Sequence, residues 1–584
     1  MMDNDIVRNK RSRIADAIFI IMMTVLLGWQ IVTSFFGIDF SDSSYYIANY
    51  KTFFNGLINS RSNAFLSNYF GALLYKLIPS HEYLAFQIIG ALFFDVAVVS
   101  VWLLFRKKMP RLLLPATLFV GTLALTTLPT GVSYNSFSIL LLVPAALLLV
   151  KGLETGKGWI KLAFSGFLIG FSFFFRIPNV IFAGLFIAVI WYDVFCAKNK
   201  KLFRDILPFF FGGVGGAAAG LLIVKLATRA GMVSDTAKNL IKSVSDQENR
   251  HSIFRIVSHL GRNVLDGLED IAFGYLIGLA VIAVLALVIL RFVKVKSKYV
   301  FIAAAIAAAG VTVFAQVTRY KPDLYITWFN TFGIFLYIFE AFFVFYYRKK
   351  DPALSLRSLV TLYFGVAICV GTDNGMCQNC LVTYLLLASV VCNVYNFARE
   401  DREKLSFTKK ILPLLAVIMA TVMFVGIAWI FGNRSSSKKY RDFNFCTLDS
   451  YTDAPAFGRV KTTKEKAAAL NTVYWFFKDA DYSDKRTLVF GDFPAFYLAT
   501  DCRAYKSSVW MDSASEAYLK GKLNESLEAG DLPIFVFNKC HYGYIKEIPI
   551  TWTESSATAR NFAADHGYVQ VFDNDYIEIL VPQD

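Results

Sequence analysis

Charge is what this chain has little of. Asp, Glu, Lys and Arg make up 18% of its 584 residues, against roughly a quarter in soluble globular domains, and that shortage excludes an ordinary soluble fold. Patterns that announce familiar chemistries are missing as well. There is no G-x-S-x-G, no H-E-x-x-H and no P-loop, so serine-hydrolase, zinc-peptidase and P-loop nucleotide chemistry lack their signatures. Tandem repeats and low-complexity tracts are absent too. The eight cysteines are placed in a way that excludes a disulfide scaffold. Cys196, Cys369 and Cys392 fall in or at the ends of apolar runs, where they read as small apolar residues. Cys446, Cys502 and Cys540 cannot all pair among themselves. Cys377 and Cys380 form "CQNC", a local disulfide or two free thiols, since no second pair or His cluster completes a zinc site.

What the chain has instead is apolar surface: 56% of it is hydrophobic and 16% aromatic. Runs of about 17 to 25 apolar residues recur from Ile14 to Phe431, each long enough to cross a hydrocarbon core of about 30 Å as a helix. About thirteen spans are expected, at roughly 14–36, 84–105, 112–128, 135–150, 162–175, 178–196, 206–226, 271–290, 299–317, 326–347, 358–372, 380–398 and 410–431. The first is too long for a signal peptide and has no small-residue cleavage site, so it reads as a retained span. With "RNKRSR" cytoplasmic, every second connection should be basic. "RKKMPR", "KGLETGKGWIK", "KNKKLFR", "RFVKVKSK", "YRKK" and "REDREKLSFTKK" all are. The net charge of +15 therefore reflects topology. No basic patch interleaved with aromatics occurs in a soluble segment, and nucleic acid is not an expected partner.

This alternation places residues 37–83, 227–270 and everything after Phe431 on one extracytoplasmic face. The expected architecture is an all-α polytopic membrane body over 1–431 and a small extracytoplasmic α/β domain over 432–584. The Ser-rich, polar "GNRSSSKKYRDFNF" joins them as a linker. In the tail, "TTKEKAAALNTVYWFFKDA" and "SASEAYLKGKLNESLEAG" have helical spacing and capping residues, "RTLVFGD" and "LPIFVFN" read as short buried strands, and "YVQVFDNDYIEILVP" reads as a hairpin.

The first outer loop opens with "GIDFSDSSYYIANY". After Asp42, the apolar stripe Tyr46, Tyr50, Phe53, Phe54 and Leu57 predicts a helix lying in the membrane interface plane. Asp42 is then either its N-cap or a reactive group. Ser41, Ser43 and Ser44 offer the same cap, so the cap alone does not require a carboxylate. A carboxylate fixed at a nearly dry membrane face has the position and environment of a general base.

An Asp in the first outer loop, followed by x-x-Tyr and an interfacial helix, resembles the GT-C glycosyltransferases, and so does the arrangement of many spans before an outer C-terminal domain. These enzymes pass a sugar from a polyprenyl-phosphate carrier to an acceptor outside the cytoplasm. "DSSYY" is similar to their Asp-Glu-x-Tyr-like pattern at Asp42 and Tyr45, with Ser43 where many members have Glu. The resemblance implies Asp42 as catalytic base, a polyprenyl-phosphate sugar donor, and a glycan, lipid or protein acceptor. It also implies residence in a bacterial inner membrane with a cytoplasmic N-terminus. Many members carry a second acid in the next outer connection. Here that connection is "LPTGVSYNS", whose polar groups are Tyr134 and Asn135. Asp39 could replace that acid, with Asp42, as an oxygen ligand to magnesium or manganese.

A phosphate-linked donor also needs cations at the outer face. Arg176 in "FFFRIPNV" either snorkels to the headgroups or serves the donor phosphate; "FRIPN" also resembles an Arg-Pro-Asn-like segment of some bacterial relatives. Arg319 and Lys321 in "TRYKPD" are further candidates. Asp373 and Asn374 in "GTDNGMCQNC" form a tight turn or contact sugar hydroxyls. Asp95 and Glu340 sit inside spans with no assigned part. The tail segment "GDFPAFYLATDCRAYKSSVW" resembles outer domains that shape acceptor binding. Two rival readings stay open. A polysaccharide polymerase or ligase would rely on Arg250 and His251 of the long outer loop. A lipid-linked glycan flippase would need no base, but the related halves with matching broken helices often seen in transporters are not found.

Overall fold

The computed structural model describes residues 2–55, 64–78, 80, 82–127, 131–155, 158–197, 201–228, 273–319, 326–370, 380–400, parts of 414–428, 448–480, 482, 485–512, 515–539 and 553–583. The body is a helical bundle: α1 (Met2–Thr33), α2 (Asp42–Thr52), α3 (Phe65–Leu77), α4 (Glu82–Phe105), α5 (Leu113–Leu123), α6 (Tyr134–Thr155), α7 (Trp159–Ser172), α8 (Phe186–Ile190), α9 (Leu202–Ala227), α10 (Phe273–Phe292), α11 (Ser297–Arg319), α12 (Ile326–Tyr346), α13 (Pro352–Ala367) and α14 (Thr383–Glu400). A 3-10 helix, Ile177–Leu185, runs into α8 and on into a π-helix, Trp191–Cys196.

Six helical stretches among the described residues are long and apolar enough to cross a membrane: Arg13–Thr33, Glu82–Phe105, Tyr134–Thr155, Ile177–Cys196, Leu202–Ala227 and Ser297–Phe314. That is the mark of an integral membrane protein. The other expected spans correspond to shorter apolar helices, such as Leu113–Leu123 and Trp159–Ser172, or are described only in part. Thirteen is therefore not the count of full-length spans among the described residues: some apolar runs are broken by turns before they reach full length. Burial separates the helices by place. Two thirds of the apolar window of α6 is buried, against about a tenth for α1. So α6 runs through the bundle, while α1 and α9 show apolar side chains such as Ile20, Ile21, Phe211 and Leu226 on the outside.

Helices α7 and α9 pack through small residues. A Cβ on Gly166 would collide with the carbonyl oxygen of Phe209, and one on Gly216 with that of Phe167. Backbone-to-backbone packing of this kind replaces the hydrophobic driving force that lipid does not supply.

The tail folds as the sequence pattern predicts, with additions. Thr463 accepts a hydrogen bond from the Lys466 amide and starts α15 (Lys464–Asp479); Ser515 does the same for Tyr518 and α17 (Glu516–Glu528). Between them come β1 (Arg486–Phe490), α16 (Phe496–Ala499) and β2 (Arg503–Ala504). After them come β3 (Ile534–Asn538), α18 (Glu554–Asp565) and the antiparallel hairpin β4 (Tyr568–Asp573) and β5 (Ile577–Pro582). The sheet order is β2-β1-β3-β5-β4, with β1 parallel to both β2 and β3. Strand β3 is buried along its whole length, as a strand covered on both faces should be.

One apolar core runs from the first loop into this domain. It joins Ile38, Phe40, Tyr50 and Phe53 to Phe457, Leu470, Phe493 and Phe496. Main-chain bonds stitch the same seam: the Gly37 amide donates to the Lys461 carbonyl at 2.8 Å, the Lys461 amide to Phe35 at 3.0 Å, and the Ala495 amide to Phe40 at 3.0 Å. Lys466 is buried, and its ammonium donates to the Ile38 carbonyl at 2.8 Å over the Phe40 ring. This corrects the expectation for α2. Of its stripe, Tyr50 and Phe53 are at most 1% exposed and the Tyr50 hydroxyl donates to the Val132 carbonyl, Tyr46 and Phe54 are half-buried, and Leu57 lies outside the described residues. Packing beneath the tail domain and α3 removes the same apolar area from water without using the bilayer.

Candidate active site

The start of α2 decides between punctuation and chemistry for its two carboxylates. Asp39, 1% exposed, accepts from the Ser41 amide at 3.1 Å and hydroxyl at 3.0 Å on one oxygen, and from the Ser43 amide at 2.8 Å on the other. Its own amide donates to the Tyr83 hydroxyl, and its carbonyl accepts from the Ser44 hydroxyl. Asp39 thus does the work of a helix cap from outside the helix, taking up amides that α2 cannot satisfy. Ser41, at the N-cap position, makes no side-chain cap bond. Asp42 is the first helical residue and half-buried.

Three donors take up most of the acceptor sites of the Asp39 carboxylate, two on one oxygen and one on the other. No group of three His, Cys, Asp or Glu side chains gathers among the described residues.

Around Asp42 stands an aromatic cluster. Tyr46 meets Tyr134 edge-on at 5.4 Å, Tyr45 meets Tyr46 at 5.4 Å, and Tyr45 also meets Trp510 of the tail domain at 5.3 Å. Burial, then the neighbouring Tyr134, then the Asp42 charge push the Tyr46 hydroxyl well above its ordinary range. Tyr45 is raised by burial, with smaller contributions from Tyr134 and Asp42. Both rings therefore stay neutral hydrogen-bond donors near the carboxylate. Beside Tyr134, at the first turn of α6, the buried Asn135 Oδ1 has no hydrogen-bond partner among the described residues, an acceptor open to a hydroxyl.

Arg176 closes the cluster from the bundle side. It sits in extended conformation where α7 has ended and Pro178 opens the 3-10 helix, the placement that proline's fixed φ and missing N–H favour. The guanidinium is 4% exposed, so it does not snorkel. It donates to the carbonyls of Ile368 at 3.1 Å and Val370 at 2.7 Å, just past the end of α13, where the helix leaves partial negative charge. Its Cζ lies 5.8 Å from the Tyr134 ring. Two bonds leave part of a five-donor guanidinium for an anion. Asn179 supports this turn, donating to Ser138 Oγ and to the Ser172 carbonyl.

The structure thus brings Asp42, Tyr45, Tyr134, Asn135 and Arg176 to one end of the bundle. Arg319 ends α11, its side chain outside the description. Lys321, Asp373 and Asn374 lie outside the described residues, as do Arg250 and His251.

The tail contributes a wall from the segment Gly491–Trp510, whose sequence resembles acceptor-shaping outer domains without marking the residues that meet α2. At the carboxyl end of β1, Gly491 and Asp492 both adopt positive φ, a conformation easy for Gly and tolerated by Asp. Their amides donate to the two oxygens of Asp512 at 3.0 and 3.1 Å. Asp492 in turn accepts from Trp510 Nε1 at 3.0 Å, which fixes the indole that meets Tyr45. Burial, helped by the Asp492 charge and opposed by the amide donors, pushes the Asp512 carboxyl up to about 6. The one signal in the sequence was the Gly-Asp pair at a strand end, at the carboxyl edge of parallel strands where α/β domains place their sites.

Neither the models of known protein families nor the curated proteins contain a match to this chain.

Proposed function

We propose that this chain is an integral membrane glycosyltransferase of the GT-C type, moving a sugar from a polyprenyl-phosphate donor to an extracytoplasmic acceptor with inversion. The observation that supports this best is the placing of a second carboxylate at the first turn of α2 beside tyrosines and a buried arginine. Asp39 anchors the helix, and Asp42 is held half-buried among tyrosines on the same cluster as Arg176. In the proposed step Asp42 takes the proton of the acceptor hydroxyl as that oxygen forms a bond to the anomeric carbon. The bond from that carbon to the phosphate oxygen breaks, and its electrons leave with the polyprenyl phosphate. Arg176 meets the charge gathering on that phosphate with donors already in place, in a site with little water. Tyr45, Tyr46 and Trp510 supply faces and hydroxyls for the sugar.

The test is transfer of radiolabelled sugar from membrane-extracted polyprenyl-phosphate sugars to endogenous acceptors. Loss of transfer in a folded Asp42→Asn variant is the expected result, and equal transfer by the variant sinks the base assignment. Transfer that survives Asp42→Asn but fails in His251→Ala would turn the reading to a polymerase or ligase.

A further inference from the structure

The bundle holds a carboxyl group that this chemistry does not use. Glu340 lies on α12 and is 0% exposed. The side chains facing it come from the two helices packed against α12. Asn393 of α14 donates through Nδ2 to Glu340 Oε2 at 3.5 Å and to Ser358 Oγ of α13 at 2.7 Å; the Ser358 and Ser389 hydroxyls also face the carboxyl. All three partners are at most 1% exposed. The charged and titratable neighbours on these helices are otherwise engaged. Arg357 pairs with Glu154 and donates to the carbonyls of Leu104 and Ala353. The Tyr347 hydroxyl donates to the Asn393 carbonyl, and the Cys392 thiol reaches the Lys108 carbonyl. Among the described residues no cation pairs with Glu340.

Glu340 Oε1 and Asn393 Oδ1 are buried acceptors that nothing among the described residues bonds in good geometry, and the groups nearest the carboxyl are neutral: the Asn393 amide and the Ser358 and Ser389 hydroxyls. An ionised carboxylate in such a place would carry an uncompensated charge in low dielectric, at a cost of several kcal/mol, and a neutral acid avoids it. A proton on the carboxyl cancels the charge and gives the cluster a further donor, which the buried Asn393 Oδ1 can use.

We propose that Glu340, Asn393, Ser358 and Ser389 form an intramembrane proton-binding site, with the proton carried by the Glu340 carboxyl. Ionisable groups inside membrane proteins that face the bundle interior mark ion and proton sites, and this one is independent of Asp42 and Arg176. While the proton is bound, α12, α13 and α14 are tied by a neutral polar cluster; its loss places a full negative charge between them.

The experiment is infrared difference spectroscopy of the full-length protein in detergent at neutral pH, wild type minus Glu340→Gln, in KCl and then in NaCl. The expected spectrum contains the carbonyl band of a protonated carboxylic acid. That band shifts in heavy water, is missing from the variant and is unchanged by sodium. Carboxylate bands alone, or an acid band that disappears when sodium replaces potassium, would overturn the proposal, the second by placing sodium on the same oxygens. Thermal unfolding gives a second readout. Glu340→Gln reproduces the neutral acid and is expected to unfold at the wild-type temperature, whereas Glu340→Ala unfolds earlier. A Gln variant as unstable as Ala, or one that does not fold, would also refute it.

Discussion

Asp39 and Asp42 stand three residues apart, and exchanging their fates is the sharpest test of the site. Asp39→Ala removes the acceptor of two buried backbone amides and one hydroxyl. The hydroxyl can turn to another acceptor, but each buried amide left without a partner costs about 1–3 kcal/mol, so the loss of both should destabilise the protein by about 2–6 kcal/mol. Asp39→Asn keeps one carbonyl acceptor and should lose roughly half as much. Asp42→Asn removes a half-buried charge from the first turn of α2, where its interaction with the helix dipole is worth about 0.3–1 kcal/mol; its loss of transfer should be about 100- to 10,000-fold, the scale of a general base. The assay pairs thermal unfolding in detergent with hydrogen exchange over α2 and sugar transfer on the same preparations. Asp39 variants should show faster exchange in α2 and a lowered melting temperature, and Asp42→Asn neither. A stable Asp39→Ala together with an unfolded Asp42→Asn would reverse the two roles and refute the argument.

Other predictions concern the remaining contacts. Arg176→Lys keeps a charge but loses the fork that holds two carbonyls and still offers donors; we predict a fall in transfer of at least about tenfold, and wild-type rates would remove Arg176 from the site. Gly166→Leu drives a side chain into the α9 backbone and should prevent α7 and α9 from packing, at a cost of about 3 kcal/mol or more, read as lost folded protein after detergent extraction. The Asp512 carboxyl gives a pH dependence. Its value is raised in the folded protein to about 6, so the folded state holds the proton longer than the unfolded chain, and stability should fall as pH rises from about 4 to 6 and level off above that. Allowing for its partial exposure, the change is about 1–2 kcal/mol, and unfolding scans of wild type and Asp512→Asn that show the same slope would reject it.

The tail was legible because its elements carry local signals: Thr463 and Ser515 open helices, and alternation marks the β4–β5 hairpin. What could not be read were partners distant in the chain. The stripe on α2 is the same whether it meets lipid or Phe493 and Phe496, and periodicity does not tell the two apart. Nor does the sequence say which of two nearby carboxylates reaches the amides of α2, since that depends on how the chain turns at Gly37, itself held by the Lys461 carbonyl. Six of the expected spans appear among the described residues as long apolar helices, and others as shorter ones such as Leu113–Leu123 and Trp159–Ser172, because composition registers apolar length and not where a helix ends. Trp510 carries no motif, and only the fold brings it to Tyr45.

The seam between Phe35–Phe40 and Lys461–Phe496 also has an order in time. A chain made from its N-terminus exposes the first loop early, but the backbone partners of Phe35, Gly37 and Phe40, Lys461 and Ala495, are synthesised long afterwards and must reach the same side of the membrane. Until then α2 lacks the apolar cover of the tail, and Tyr45 lacks Trp510. A nascent or truncated chain lacking the tail would carry Asp42 and Tyr45 without Trp510 and the apolar cover beside them, so this end of the bundle is complete only once the tail has folded onto it.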